Sequence, residues 1–243
     1  MEKAGSKALI DPARSKKDIA LPADAFLVFT PEDMTLMKAK WASCRRAQRL
    51  FLSDVFLCLD DGPPVAVALV GPAIGAPQAV LVLEKMIALG ARRVIAYGWC
   101  GSLQPHVFIG HVVLPEAVHS EEGTSAHYPI PEAPSPSPDL LRRLEAALKS
   151  DAHLTVHKGS VWSTDAPYRE TEEKVLFYQQ KGVLGVDMEM SALFTAAAFR
   201  GIDLAGVLVV SDDLSHLTWR HGFRDPQFQE TRKRLPERLR RLF

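Results

Sequence analysis

The stretch Gly182–Leu214, GVLGVDMEMSALFTAAAFRGIDLAGVLVVSDDL, has the pattern of a strand, a helix and a second strand. Gly182–Val186 is short and β-branched, and Met188–Arg200 carries apolar residues at helical spacing before Gly201, a residue type that often ends helices. Leu204–Val210 is an apolar run bounded by turn residues, which indicates a buried parallel strand. We therefore expect a βαβ unit whose two strands run in the same direction.

Carboxylates follow both strands of this unit. Asp187 and Glu189 come after the first strand, and Asp212 and Asp213 come after the second. Parallel strands end at the same edge of a sheet, and ligands bind at that edge in open α/β proteins. Because Asp also caps helices and forms turns, a structural role is an equal alternative for any one of these residues alone. Two groups of carboxylates at one edge favour a binding site.

The composition indicates one globular α/β domain. The chain has 243 residues, 47% hydrophobic and 24% charged, with a formal net charge of +0, so no global charge attracts nucleic acid or an anionic membrane. Its three cysteines lack metal-ligand spacing, and their odd number argues against a secreted disulfide framework. Met1–Lys17 lacks the apolar core of a signal peptide, and no apolar run reaches the roughly 18 residues of a membrane span. We expect a cytoplasmic protein without a bound metal and without a nucleic-acid or membrane partner.

The segment Val186–Ala192, VDMEMSA, together with Val210-Ser211-Asp212, resembles the signature of the nucleoside phosphorylase and nucleosidase family. This family includes purine nucleoside phosphorylases, uridine phosphorylases and methylthioadenosine/adenosylhomocysteine nucleosidases. The resemblance extends unevenly from about Ala25 to about Leu214. It implies a single-domain α/β fold of three layers, α/β/α, with a central mixed, mostly parallel twisted sheet.

The polar residues before the resemblance and the basic ones after it indicate a domain organisation. We expect residues 1–24 to form an N-terminal arm and residues 25–243 a phosphorylase-like catalytic domain, with a basic C-terminal helix from about residue 226. Pro236 should interrupt this helix, whose surface we expect to be solvated or to face another subunit. Members of the family are dimers, trimers or hexamers, so a homo-oligomer is expected.

The matching residues carry family roles at the two strand ends. Glu189 matches the residue that binds the ribose hydroxyls, and Met188 matches the residue that packs on the sugar. Asp212 matches the acid that donates a proton to the leaving base in the purine enzymes. Cleavage of an N-glycosidic bond builds positive charge on the ribose and negative charge on the base, which a carboxylate and an acid can stabilise respectively. Asp212 and Glu189 are therefore the expected catalytic residues.

Two further segments resemble parts of the family's base pocket. Ser163–Arg169 resembles the base-binding segment, although Pro167 stands where an aromatic residue usually stacks on the base. An ordinary helix cap at Asp165 is the alternative, and Glu170 is a further candidate contact. Gly98–Leu103 matches the family's Gly-Thr-Cys-Gly-x-Leu turn. The expected base-binding residues are Tyr168, Arg169, Asp212, Trp99 and Gly98.

Two nucleophiles fit the resemblance. Phosphorylases bind phosphate through an Arg and a Ser or Thr that flank the Gly98 turn, but this chain has Ala96 and Trp99 there. Nucleosidases activate water with a Glu near the end of the first strand, where this chain has Glu32 and Asp33, acids that also favour a helix N-terminus. In hexameric members an Arg from the region of Arg46 reaches the neighbouring phosphate site.

We expect phosphorolysis of a nucleoside to free base and ribose 1-phosphate, with inorganic phosphate as co-substrate and without a cofactor. The loops Gly71–Pro77 and Glu122–Tyr128 resemble those of phosphorylases and support this choice. A hydrolytic nucleosidase is the alternative, and a non-catalytic nucleoside-binding protein is a third. Asp212 favours a purine base, whereas Ser163–Tyr168 favours a pyrimidine.

Overall fold

The computed structural model describes residues 8–41, 43–59 and 67–243. In this part of the chain ten strands form one mixed sheet, accompanied by six α-helices. The strands are β1 (Asp24–Val28), β2 (Cys44–Leu50), β3 (Ser53–Cys58), β4 (Val67–Gly71), β5 (Arg93–Ser102), β6 (Val112–Ser120), β7 (Val156–Ser163), β8 (Gly185–Asp187), β9 (Asp203–Asp213) and β10 (Arg220–His221). The helices are α1 (Pro31–Lys40), α2 (Ala76–Leu89), α3 (Pro138–Lys149), α4 (Glu172–Gln180), α5 (Met190–Arg200) and α6 (Pro226–Arg240).

The centre of the sheet forms the core. β1 pairs in parallel with β4 and β5, and β5 pairs in parallel with β9. Every residue of β1 and β4 is buried, as expected for strands that are covered on both faces. α2 packs against α5, while α6 packs against α1 and α3. The predicted single-domain α/β fold with a mixed sheet is confirmed.

Five strands close into a ring at one end of the sheet. β9 pairs with both β5 and β6, and the order β6-β7-β8-β5 completes the closure. Gly101 of β5 lies between Asp212 of β9 and Val186 of β8. A Cβ atom at Gly101 would lie 3.1 Å from Asp212 Oδ2 and 3.2 Å from Val186 Cγ1, so this position has room only for glycine without a shift of its neighbours.

The expected parallel βαβ unit at Gly182–Leu214 is wrong in one respect. β8 is antiparallel to β5, whereas β9 is parallel to β5, so β8 and β9 run in opposite directions. β8 has only three residues and enters the ring between β5 and β7. An apolar run does not fix strand direction, which depends on these distant partners. The ends of both strands still meet at Gly101, because β5 lies between them.

β5 is longer than the sequence pattern predicts. The sequence pattern predicts a strand at Arg93–Tyr97 and a turn from Gly98, but the strand continues to Ser102. The additional residues pair with β9 on one side and, at Gly101 and Ser102, with β8 on the other. Most of the Gly98–Leu103 motif, which resembles a turn in the sequence, therefore belongs to β5 and to the ring of five strands.

The C-terminal helix also differs from expectation. α6 continues through Pro236 rather than ending there, and the Pro236 carbonyl accepts a hydrogen bond from Trp41 Nε1. Its Phe228, Leu235 and Leu239 are fully buried, so one face of this basic helix belongs to the core rather than to a solvated surface.

The N-terminal segment and the β2–β3 hairpin flank this core. The Asp18 carboxylate pairs with Lys85 Nζ at 2.7 Å, which ties the described part of the segment to α2. Cys44 and Cys58 lie opposite each other on β2 and β3 and form a disulfide that the cysteine count did not predict. A turn expected at Asp60-Asp61-Gly62 lies outside the described residues. No helix in the described ranges has the length and hydropathy needed to cross a membrane.

Candidate active site

A cavity of about 830 Å³ lies where β5, β8 and β9 meet. Glu189 and Asp212 both line it, so the two expected catalytic carboxyl groups share one space. Its other lining residues include Thr30, Glu32, Trp99, Tyr168, Glu170, Asp187, Met188, Ser211, Trp219 and Phe223. The volume lies within the range typical of small-molecule sites.

Glu189 is held in place by backbone groups. Its Oε1 accepts a hydrogen bond of 2.6 Å from the N–H of Gly75, which precedes α2, and its Oε2 lies 3.3 Å from the N–H of Met188. The residue is 4% exposed. Burial raises the pKa of Glu189 to about 8, and the nearby Asp187 carboxylate adds to the rise. A buried carboxyl group with this environment suits hydroxyl donors of a sugar, which stabilise its charged form.

Asp187 joins the end of β8 to the beginning of α5. Its Oδ2 accepts hydrogen bonds from the backbone N–H groups of Glu189 and Met190, at 2.9 and 2.7 Å. Its Oδ1 accepts a hydrogen bond of 2.5 Å from Ser163 Oγ, which in turn accepts one from the N–H of Ser191. Burial raises the pKa of Asp187 to about 6 despite these donors. The bonds therefore fix the turn that directs Glu189 into the cavity.

Asp212 lies near the end of β9 with a hydrogen-bond partner at each oxygen. Ser211 Oγ lies 2.6 Å from Oδ1, and Trp219 Nε1 donates to Oδ2 at 2.9 Å. Burial raises the pKa of Asp212 above its ordinary value, although both hydrogen bonds oppose the rise. An acid whose pKa is raised in this way holds its proton more readily and can donate it to a leaving group.

A third carboxyl group, Glu170, enters the cavity from the segment before α4. The side chain is half-buried and makes no hydrogen bond or ion pair among the described residues. Burial raises the pKa of Glu170 to about 7, and the negative charge of Asp212 contributes. Glu170 was only a secondary candidate in the sequence, because its segment has no pattern that shows which side chain points into a site.

Aromatic rings form much of the remaining wall. Tyr168, an expected base-binding residue, lines the cavity and is fully exposed. Trp99 also lines the cavity, and its Nε1 donates a hydrogen bond to Asp33 Oδ2. Trp219 and Phe223 complete the wall from the segment that follows β9. Trp219, His221 and Phe223 are alternate residues of the chain, and in an extended segment alternate residues share one face. This spacing is the sequence signal for an aromatic wall here.

Asp33 is buried away from the cavity. Its side chain is completely buried, and its Oδ1 accepts a hydrogen bond of 2.7 Å from Arg232 Nε of α6. Burial raises the pKa of Asp33, while Arg232 lowers it. A carboxylate engaged in this ion pair is not free to activate a nucleophile, which corrects its expected role. Glu32, the other acid of this turn, does line the cavity.

Three other expected site residues lie outside the cavity wall. Arg46 is on the exposed β2–β3 hairpin, where it pairs with Asp54 at 2.7 Å. Arg169 is exposed and is not among the lining residues. Gly98 is buried, and a Cβ atom there would lie 2.1 Å from the Phe29 ring, so its role is close packing rather than contact with a base.

The charged side chains that line the cavity are all acidic. Its lining residues in the described part of the chain include five carboxyl groups and no lysine, arginine or histidine. These groups are Glu32, Glu170, Asp187, Glu189 and Asp212. Such a cavity favours ligands that donate hydrogen bonds, whereas a phosphate dianion requires positively charged or amide partners.

Comparison with known proteins identifies relatives of this chain. A family model described as the phosphorylase superfamily matches residues 25–243. The chain is 29% identical to a guanosine phosphorylase of Halorubrum lacusprofundi over 183 residues. The aligned region covers 75% of each protein. It is 28% identical over 179 residues to a DeoD-type purine nucleoside phosphorylase of Clostridium novyi, covering 68% of this chain and 75% of the relative.

Solved structures show the same fold. A purine nucleoside phosphorylase from Toxoplasma gondii, in complex with immucillin-H, superposes with a TM-score of 0.81 at 20% identity, covering 99% of this chain and 97% of that one. A uridine phosphorylase from Vibrio fischeri ES114 gives a TM-score of 0.76 at 23% identity, with 91% and 90% coverage.

Proposed function

Because the chain belongs to the phosphorylase superfamily, we propose that it cleaves the N-glycosidic bond of a nucleoside by phosphorolysis, releasing free base and ribose 1-phosphate. One observation carries the proposal: Glu189 and Asp212 enter the same cavity from the ends of two strands that flank Gly101. The names of the guanosine and purine nucleoside phosphorylases among its relatives support this activity.

Glu189 is the proposed ribose ligand. The carboxylate accepts hydrogen bonds from the sugar hydroxyl groups, and its negative charge stabilises the positive charge that develops on the ribose as the bond breaks. The Gly75 and Met188 amides restrict its rotation, so little reorganisation is needed when the sugar binds. Met188 lines the cavity beside it and is the proposed apolar contact of the sugar.

Asp212 is the proposed general acid. The bond between the anomeric carbon and the base breaks with its electron pair on the base, which then takes the proton of Asp212 at a ring nitrogen. The raised pKa of Asp212 keeps this proton available at higher pH than an exposed aspartate does. We propose a purine base, because its five-membered ring carries, besides the glycosidic nitrogen, a second nitrogen that can take this proton. Tyr168 and Glu170 are the proposed contacts of the rest of the base.

The nucleophile separates two versions of the proposal. Phosphate needs positive charge that the described cavity wall lacks, and we propose that another copy of the chain in a homo-oligomer supplies it, with Arg46 as a candidate. The lining, whose charged side chains are all carboxyl groups, favours a second candidate function, hydrolysis, in which Glu32 activates water. Neither version uses a metal or an organic cofactor. We propose that the protein acts on its nucleoside in the cytoplasm.

A nucleoside panel tests the proposal. Purified protein is incubated with guanosine, inosine, adenosine and uridine, each with and without inorganic phosphate, and the free base and the sugar product are quantified by chromatography and mass spectrometry. Phosphorolysis predicts phosphate-dependent base release with ribose 1-phosphate as product. Equal release in phosphate-free buffer, with ribose as product, replaces it by hydrolysis. No base release from any nucleoside contradicts both.

A further inference from the structure

Trp219 makes an unusual contact with the proposed general acid. Its indole N–H donates a hydrogen bond of 2.9 Å to Asp212 Oδ2, although the Trp219 side chain is largely exposed. The segment is held by β10, whose Arg220 and His221 pair with Asp213 and Asp212 of β9. The short hairpin thus folds Trp219 back over the strand end that carries the acid.

Neighbouring rings support the same geometry. The Trp219 and His221 rings lie 5.6 Å apart between centroids, and His221 stacks on Phe223 with an interplanar angle of 5°. Phe223 in turn lies 6.0 Å from Trp99 on β5. These alternate residues share one face of the segment, so the Trp219 ring is part of a continuous aromatic cover and not an isolated surface side chain.

The indole group constrains the proton of Asp212. An indole N–H only donates, and the hydroxyl oxygen of a neutral carboxyl group is a poorer acceptor than its carbonyl oxygen. Oδ2 is therefore the oxygen that stays unprotonated while Trp219 is in place. Ser211 Oγ lies 2.6 Å from Oδ1 and 3.3 Å from the Cys100 carbonyl, so it can donate to that carbonyl while accepting from a protonated Oδ1.

We propose that Trp219 is a positioning residue that places the acid proton of Asp212 on Oδ1 and stabilises the carboxylate left after transfer. In the reaction, which rests on the proposed function, the O–H on Oδ1 turns from Ser211 to a ring nitrogen of the base and gives up its proton as the C–N bond breaks. The Ser211 hydroxyl then turns to donate to Oδ1. Both oxygens of the product carboxylate are thereby hydrogen-bonded, and no charge is left without a partner.

The other charged groups around Asp212 do not replace this role. Asp213 of the same strand and Glu170 from the segment before α4 are acidic and oppose ionisation of Asp212. Cys100 of β5 is a buried thiol, and Arg220 of β10 lies 3.8 Å from Asp213. Donation from Trp219 and Ser211 is therefore the main stabilisation of the Asp212 carboxylate within the described residues.

The test is Trp219→Phe, which retains an aromatic ring and removes only the N–H donor. The pKa of Asp212 is measured in the unliganded protein by carboxyl ¹³C NMR, with Asp212→Asn to assign the signal. Phe177→Leu on α4, a half-exposed ring outside the cavity, is the control. We expect the pKa of Asp212 to rise by about half a unit to one unit in Trp219→Phe and not in the control, because the charged form loses a donor.

Kinetics give a second readout on the same variants. The protonated acid is the active form. The alkaline limb of the pH profile of kcat/KM for base release should therefore move to higher pH in Trp219→Phe, by the same amount as the pKa of Asp212. We also expect kcat to fall and KM to change little. An unchanged Asp212 pKa and alkaline limb would overturn the role of Trp219. Absence of turnover in the wild type would instead refute the proposed function, while the NMR titration would still decide the role of the indole.

Discussion

Glu189 Oε1 accepts a hydrogen bond of 2.6 Å from the backbone N–H of Gly75, which connects the loop before α2 to the turn after β8. The proposed ribose ligand is thus oriented before a sugar enters the cavity. Burial and the neighbouring Asp187 nevertheless raise the pKa of Glu189 to about 8, so the charged form of this carboxyl group is disfavoured in the folded protein. Holding Glu189 in this buried orientation therefore lowers the stability of the protein without a ligand.

Glu189→Gln should consequently increase stability while it removes activity. A group whose pKa rises from 4.5 in the unfolded chain to about 8 in the folded one lowers stability progressively as pH rises between these values. We expect Glu189→Gln to melt above the wild type at pH 8.5 and close to it at pH 5, as measured by calorimetry. Activity should fall about 10²-fold in kcat/KM, because charge-assisted bonds to the ribose are lost. A melting difference that is independent of pH would refute the burial argument.

The buried pair of Asp33 and Arg232 should control stability. The side chains are 0% and 8% exposed, and removal of one partner leaves a buried charge without compensation. We expect Arg232→Met to lower the free energy of unfolding by about 3–5 kcal/mol in urea denaturation, and the added change Asp33→Asn to restore part of it.

A surface pair provides the control for that experiment. Lys40 and Glu237 also join α1 to α6, but their side chains are 39% and 60% exposed. Lys40→Met should leave the unfolding midpoint nearly unchanged, because solvent screens such pairs. Equal losses for Lys40→Met and Arg232→Met would show that burial of the Asp33–Arg232 pair has no special effect.

Glu170 should make base preference depend on pH. The pKa of Glu170 is raised to about 7, so its carboxylate, which can accept from the adjacent N–H groups of guanine, forms mainly above that pH. We expect the ratio of kcat/KM for guanosine over adenosine to increase by about tenfold from pH 6 to pH 8 in the wild type. In Glu170→Gln the ratio should be lower and flat, whereas the exposed Glu173→Gln on α4 should behave as the wild type. A wild-type ratio that does not change with pH would count against contact between Glu170 and the base.

Local sequence features predicted much of the fold. Thr30 and Pro31 predict the start of α1, and Pro138 and Asp139 predict the start of a helix that runs to Lys149, as the structure shows, because helix ends depend on neighbouring residues. The direction of β8 was predicted wrongly, since three residues acquire their direction only from β5 and β7. The continuation of α6 through Pro236 likewise depends on burial against the core.

The candidate site shows the same contrast between features set by neighbouring residues and features set by distant ones. Glu189 and Asp212 were identifiable because each belongs to a contiguous motif, and the structure brings both to one cavity. The engagement of Asp33 was not predictable, because its partner Arg232 lies 199 residues away in the chain. Trp219 lies seven residues after Asp212, but only the β10 hairpin turns its N–H toward that acid.

The central claim is that Glu189 and Asp212 act on opposite parts of one nucleoside, and a comparison of guanosine with 7-methylguanosine tests it most directly. The methylated base already carries a positive charge and leaves without a proton, so it needs the sugar contact but not the acid. We expect Asp212→Asn to lose about 10²–10⁴-fold in kcat on guanosine and little on 7-methylguanosine, while Glu189→Gln loses activity on both. Equal losses of Asp212→Asn on both substrates, or full activity of Glu189→Gln, would contradict the account.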